Sequence, residues 1–302
     1  MSDPIIEKIS ELKKKHNAVI LAHNYQRGEI QDVADFVGDS LGLSQQAAKT
    51  DADLIVFCGV HFMAETAALL SPNKTVIMPD EHAGCPMASM ITARELKEKK
   101  RLYPNSKVVC YVNTTAAVKA ESDICCTSSN AVKIVSSIPE DVEIIFVPDK
   151  SLGAYVSSCL GREMIYWEGY CPTHHRIIAE QIVKMKSENP EAEVVVHPEC
   201  TQDVIALSDH VASTTGILNY VSSSNSKEFV IGTELGILHR MKKENPDKKF
   251  MPVTPLSDCP NMKLNTLEKL LWSLEDLQFV VTVPEDIAVK ARQAIQRMLD
   301  LS

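Results

Sequence analysis

Residues 18–23 read Ala-Val-Ile-Leu-Ala-His, five apolar residues closed by a histidine. A short apolar run that ends on a polar side chain marks a strand buried on both faces of a parallel sheet. The outline returns at Val108-Val109-Cys110-Tyr111-Val112-Asn113 and at Val194-Val195-Val196-His197-Pro198-Glu199, which places His23, Tyr111 and His197 88 and 86 residues apart. Between these runs the chain alternates helical stretches with further short strands, the pattern that right-handed crossovers turn into parallel sheets. The expected class is α/β.

The repeat extends beyond these strands. Second strands begin after Asp53, Asp123 and Asp209 and lead into Gly59 to Glu65, Thr127 to Asn130 and Ser213 to Gly216, while third strands end at Pro79-Asp80, Pro148-Asp149 and Gly232-Thr233-Glu234. This predicts three related α/β units of about 85 residues, the first with an extra stretch around Arg27 to Ser44. The expected boundaries are 1–98 with about 272–302, 99–183 and 184–271. Polar residues at the carboxyl ends of nine strands would then converge on a ligand site between the units. A first helix is expected over Pro4 to Lys15, capped by Ser2 or Asp3. A terminal strand, Phe279 to Val283, and a helix, Pro284 to Leu301, are expected to pack back onto the first unit.

The chain has 302 residues, 45% of them hydrophobic and 24% charged, enough to bury a real core and too apolar for disorder. Its net charge of −9 offers no global field for phosphate backbones, so no nucleic-acid partner is expected. The longest apolar runs are about five residues against the roughly 20 that cross a bilayer, so no membrane partner is expected. The polar start, Met1 to His16, lacks a leader's apolar core, and the expected location is cytoplasmic.

Nine cysteines without a secretion signal point to reduced thiols or metal ligation. Three of them precede proline: Cys85-Pro86, Cys171-Pro172 and Cys259-Pro260, spaced 86 and 88. Proline after a ligand turns the chain and removes a competing donor, as in iron–sulfur ligation. One thiolate from each unit would make a three-ligand site, leaving one iron of a [4Fe-4S] cluster open to substrate. A zinc ion on the same thiolates and a set of buried core thiols are the alternatives. Cys85 follows Asp80 by five residues, whereas Cys171 and Cys259 follow Asp149 and Glu234 by 22 and 25, so the even spacing reads partly as an accident of insertions.

The polar strand ends supply acid–base chemistry. His23 and Tyr25 set an imidazole beside a phenol, and His197 and Glu199 an imidazole beside a carboxylate. Tyr111 and Asn113 alternate along a strand and share a face, suited to gripping carboxylate or carbonyl groups. Ser40, Ser128 and the Ser213-Thr214 pair each precede a helical stretch, where hydroxyl and backbone N–H groups hold an anion or simply cap the helix. His174, three residues after Cys171, either faces the metal or caps the next helix.

Nine segments in order carry a resemblance. They include AHNYQRGEIQDVADFVGDSLGLS (22–44), AGCPMA (83–88), YVNTTAAVKAESDICCTSSNAV (111–132), WEGYCPTHH (167–175), HPEC (197–200), STTGIL (213–218), GTELGILHRM (232–241) and CPNMKLNTLEKL (259–270). By them, and by GVHFMAETAALLSP (59–72), the chain resembles the quinolinate synthase family nearly end to end. The resemblance implies three α/β/α sandwiches around a pseudo-threefold axis with the active site at the centre. It further implies a [4Fe-4S] cluster on Cys85, Cys171 and Cys259, and condensation of iminoaspartate with dihydroxyacetone phosphate to quinolinate in NAD biosynthesis. Carried over, His23, Ser40, Tyr111, Asn113, Ser128, His197, Glu199 and Thr214 bind substrate, with Ser213 and His174 beside them. Tyr25 and Glu199 move protons, with His23 next to them. Pathway logic makes an aspartate oxidase or dehydrogenase the source of the imine. Some longer members have a Cys-x-x-Cys at the third ligand. Here Cys259 is followed by Pro260-Asn261-Met262, so no thiol–disulfide switch is expected, and the six other cysteines read as structural.

Overall fold

The computed structural model describes residues 3–302. The first helix, Pro4–Lys15, forms as expected: Asp3 accepts from the Ile5 N–H at 2.9 Å, and Pro4 needs no donor in the first turn. Ser2 lies outside the described residues.

Twelve short strands follow. The first sheet holds β1 (Ala18–His23), β2 (Phe36–Gly38), β3 (Leu54–Cys58) and β4 (Thr75–Ile77). The second holds β5 (Lys107–Tyr111), β6 (Ile124–Cys126), β7 (Ile144–Val147) and β8 (Ile165–Tyr166). The third holds β9 (Glu193–Val196), β10 (His210–Val211), β11 (Glu228–Gly232) and β12 (Lys249–Pro252). Each sheet has the same order, second strand, first, third, fourth, and every pairing among these strands is parallel. The three units are therefore true repeats, each β-α-β-α-β-α-β.

Two details differ from the sequence reading. Asp35, not Asp53, is the counterpart of Asp123 and Asp209. Each of the three accepts from a backbone N–H of the first strand at 2.8 Å, from Ile20, Val108 and Val194, and each pairs with a lysine, Lys13, Lys107 or Lys186. The stretch around Arg27 to Ser44 is thus no insertion; it carries helix Gly28–Val33 and β2, matched by Ala116–Ala120 with β6 and by Gln202–Ala206 with β10. Each unit also has a fourth strand, ending eight, five and seven residues before Cys85, Cys171 and Cys259. The cysteines therefore occupy equivalent loops, and their even spacing follows from the repeat. Strands of two to four residues are too short for a periodic signal, which is why they escaped the sequence reading.

The chain closes on itself at the C terminus. Met78 and Phe279 exchange two backbone hydrogen bonds at 3.0 Å, adding residues 279–281 antiparallel to β4 as expected. The last helix, Glu285–Asp300, does not stay on the first unit: it lies against Ala116–Ala120 and β6 of the second and touches His61–Leu70 of the first. Its buried face, Ala288, Ala291, Ala294, Ile295 and Met298, is mostly small and admits close approach. Burying Ile295 and Met298 contributes about 1.5–3 kcal/mol each. Asn130 donates to the Ser302 hydroxyl at 2.7 Å, and Arg292 to the Leu69 carbonyl at 2.7 Å, bolting the two units together. Among the described residues no helix is long and apolar enough to cross a membrane.

Candidate active site

The carboxyl ends of the three sheets open on one cavity of about 70 Å³. Equivalent loops of each unit build its wall. After the first strands stand His23 and Tyr25, Tyr111 and Asn113, and His197 and Glu199; after the second, Ser40, Ser128 and Thr214; after the fourth, Cys85, Cys171 and Cys259. His174 is buried in the same wall. Ser213 is not among the described residues of the wall. It caps helix Thr214–Ser223, its hydroxyl accepting from the Gly216 N–H at 3.2 Å. Asp39 likewise caps Ser40–Lys49, accepting from Gly42 at 2.9 Å, which leaves the Ser40 hydroxyl free of the capping task.

One hydrogen-bonded chain runs through the site. The Tyr25 hydroxyl lies 2.7 Å from Thr233 Oγ1 and accepts from Thr214 at 3.1 Å. Thr233 Oγ1 is also 2.9 Å from His174 Nε2, and His174 Nδ1 is 2.8 Å from Glu199 Oε2 and 3.2 Å from Cys171 Sγ. His197 stacks on His174 with ring centroids 4.7 Å apart, and its Nε2 reaches Ser128 Oγ at 3.2 Å. Backbone donors fix two tautomers: Tyr25 N–H donates to His23 Nδ1 at 3.1 Å and Glu199 N–H to His197 Nδ1 at 3.3 Å. Their Nε2 atoms therefore carry whatever proton each neutral ring holds.

Burial sets the protonation states. It pushes His23 down to about 4 and His197 down to about 3, so both rings are neutral at pH 7. Burial, reinforced by the Glu199 charge, lifts the phenols of Tyr25 and Tyr111 well above their usual value. Burial alone would raise Glu199 as well, but His174 by charge and hydrogen bond, together with His197 and Tyr111, holds it below the usual carboxylate range. The site thus sets a protonated phenol and an ionised carboxylate at the two ends of one chain. Glu199 Oε1 and Asn113 Oδ1 are buried with no hydrogen-bond partner, two acceptors left for a ligand to satisfy.

The three Cys-Pro loops suit a metal group. Each turns directly into a 3₁₀ segment, Met87–Met90, His174–Arg176 or Met262–Leu264. Backbone N–H groups of those turns point back at the sulfurs: Met87 and Ala88 to Cys85, His174 to Cys171, Asn261 and Met262 to Cys259. Burial nonetheless pushes Cys85 up to about 12 and raises the other two thiols. N–H donors aimed at thiols that burial keeps protonated make sense when a cation displaces those protons. Cys171, His174 and Glu199 also offer ligand atoms within 4.8 Å of one another.

Several residues of the site went unnoticed in the sequence. Asp39, Thr127, Thr173 and Glu234 line the cavity, and Thr233 links Tyr25 to His174. Thr233-Glu234 was visible as the polar end of a strand; nothing in the sequence says that its hydroxyl faces Tyr25, 208 residues away.

Fold and site together define an enzyme class: three α/β units around a buried acid–base cavity, with a thiol from each inter-unit loop. The family model described as quinolinate synthetase A protein (NadA) matches residues 7–300. A quinolinate synthase of Dehalococcoides mccartyi strain CBDB1 is 58% identical over 98% of this chain and 97% of its own length. Those of Methanosarcina barkeri and Thermodesulfovibrio yellowstonii are each 56% identical, the first over 98% of this chain and 97% of its own, the second over 100% and 99%. The chain belongs to the quinolinate synthetase A protein family.

Proposed function

We propose that this chain makes quinolinate for NAD biosynthesis, condensing iminoaspartate with dihydroxyacetone phosphate and releasing one phosphate and two waters. The observation that carries this reading is the meeting of Cys85, Cys171 and Cys259 with Tyr25, His174 and Glu199 around one cavity, in a chain of this family. The three cysteines would hold a [4Fe-4S] cluster, which supplies an iron without a cysteine ligand as Lewis acid for a substrate oxygen.

The other residues divide by charge state. Two carboxylates and a phosphate must be held by a protein of net charge −9, so fixed dipoles do the work: the hydroxyls of Ser40, Ser128 and Thr214, the Asn113 amide, the Tyr111 phenol and the neutral rings of His23 and His197. Isomerisation, imine exchange and dehydration each move protons beside a carbonyl. The ionised Glu199 is the natural base, and Tyr25, protonated by burial, the natural acid, with His23 edge-on to it at 4.6 Å. A proton given up at Tyr25 Oη is replaced through Thr233 Oγ1 from His174 Nε2, while His174 Nδ1 faces Glu199. Iminoaspartate would come from an aspartate oxidase or dehydrogenase, in a reducing cytoplasm that spares the cluster and its thiols.

A second reading has one observation in its favour: Cys171, His174 and Glu199 suit a single zinc or iron ion. Anaerobic reconstitution separates the two. About four irons and four acid-labile sulfides per chain, quinolinate from the parent, and loss of both in Cys85→Ala, Cys171→Ala and Cys259→Ala are expected. Metal without sulfide would favour the mononuclear site, and a full cluster without quinolinate would overturn the reaction.

A further inference from the structure

Lys263 stands four residues after Cys259 in the third inter-unit loop, and its ammonium is drawn inward. It pairs with Glu234 Oε1 at 2.8 Å and donates to the backbone carbonyl of Tyr25. Glu234 is fully buried; the same Oε1 accepts from the Cys259 N–H at 2.9 Å, and Oε2 accepts from the Gly236 N–H at 2.6 Å. The Tyr25 loop is pressed onto this turn so closely that a Cβ on Gly236 would lie 2.6 Å from the Tyr25 carbonyl carbon. Arg27 binds the Lys263 carbonyl at 2.8 Å, and Gln31 ties Gln26 and Gly236 together at 2.9 Å each.

The other two inter-unit loops lack this device. Four residues past their cysteines stand Ser89, which turns back to the Cys85 carbonyl at 3.4 Å, and His175, which meets Ser151 at 2.9 Å. Neither reaches a loop that follows a first strand. A buried ion pair is a weak source of stability, because desolvation offsets its attraction, and its best-attested use is to fix registry. Here it fixes main chain to main chain, the Cys259 N–H at one end and the Tyr25 carbonyl at the other.

We propose that Lys263 and Glu234 are positioning residues that latch the Cys259 loop to the loop carrying Tyr25, so that the phenol holds its working place only while the third inter-unit loop holds its own. The kinetic part rests on the reading of Tyr25 as a proton-transfer residue. Misplacing a reacting group by about an ångström costs on the order of 100-fold in rate.

The test uses the reconstituted holoenzyme. Lys263→Met is expected to lower kcat about 10- to 100-fold with little change in KM, at unchanged iron and sulfide content. Lys263→Arg should recover part of the loss. In a Tyr25→Phe background Lys263→Met should cost nothing further. The volume-conserving Glu234→Gln/Lys263→Met pair, which leaves no buried charge alone, should behave as Lys263→Met does and guards against misfolding. Independently, tetranitromethane should nitrate Tyr25, buried in the parent, several-fold faster in both Lys263→Met proteins, as read by peptide mass spectrometry. Nitration at the parent rate, or kinetic losses that simply add, would overturn the latch. Faster nitration together with a Tyr25→Phe protein that keeps full kcat would spare the latch and overturn the role given to Tyr25.

Discussion

Replacing Thr233 by valine cuts the hydrogen-bonded chain in its middle while keeping the shape of the side chain. The threonine is fully buried, and its hydroxyl stands between Tyr25 at 2.7 Å and His174 Nε2 at 2.9 Å. Tyr25 keeps a partner in Thr214, but His174 Nε2 loses the one shown for it, and a buried polar atom left so costs about 1–3 kcal/mol. Proton transfer by positioned groups contributes about 10²- to 10⁴-fold to rate. Tyr25 and Glu199 both remain, so the expected loss in kcat sits at the lower end, about 100-fold or roughly 2.7 kcal/mol of barrier.

Thr233→Ser provides the control. It keeps the hydroxyl and loses a buried methyl, at a cost of about 1 kcal/mol in stability. The two variants should therefore lose comparable stability in urea unfolding, whereas kcat for quinolinate falls about 100-fold in Thr233→Val and stays within a few-fold of the parent in Thr233→Ser. A Thr233→Val protein within threefold of the parent at saturating substrate would refute the relay.

Acid should destabilise the fold through its neutral histidines. The unfolded chain takes up protons near pH 6.5, while His23 and His197, held at about 4 and about 3, do not. Stability is therefore lost as pH falls below 6.5, by about 3 kcal/mol per ring at pH 4. Urea midpoints between pH 7 and 4 should fall less steeply in His197→Asn, and an unchanged slope would contradict the assignment. Gly236→Ala drives a methyl against the Tyr25 backbone, so a loss of about 1–3 kcal/mol in stability is expected, with a fall in kcat; full activity would show that the two loops yield. Asp35→Ala, Asp123→Ala and Asp209→Ala remove the same first-strand acceptor, and each should cost about 1 kcal/mol by thermal or urea unfolding. One silent member would break the equivalence of the units.

The sequence was legible where apolar runs were long. Val194-Val195-Val196 and Ile144-Ile145-Phe146-Val147 have no polar face and are rich in β-branched residues, the pattern of buried parallel strands. The three Cys-Pro pairs mark the inter-unit loops because a cysteine followed by proline leaves a local signature. What escaped is non-local or short. A three-residue strand such as Phe36–Gly38 has no period, and in the first unit the five-residue apolar strand after Asp53 is a stronger signal than the three-residue one after Asp35. Ser213 and Ser40 look alike as hydroxyls at helix starts. Which of them caps its helix and which faces the cavity depends on the neighbour, since Asp39 takes the capping task from Ser40 while Ser213 has no such neighbour. Proximity in the chain points the terminal helix to the first unit, whereas its alanine stripe packs on Ala116–Ala120 and β6 of the second.

The threefold frame also carries unlike side chains at one equivalent position. Two residues past the third strand of each sheet stand Val60, Asp149 and Glu234. Val60 gives the cavity an apolar wall. Glu234 receives the Cys259 N–H and is neutralised by Lys263. Asp149 accepts instead from the Leu152 N–H at 2.9 Å, its Oδ2 has no hydrogen-bond partner, and among the described residues no lysine pairs with it; burial, reinforced by the Glu199 charge, lifts its carboxyl well above the usual range. The three units are therefore alike in path and differ at this position in side chain and partner. Cys171 Sγ lies 3.2 Å from His174 Nδ1, whereas the Cys259 N–H is held by Glu234, whose partner Lys263 also holds the Tyr25 carbonyl. Divergence at one repeated position, with the frame unchanged, gives the three units different electrostatic surroundings at the cavity.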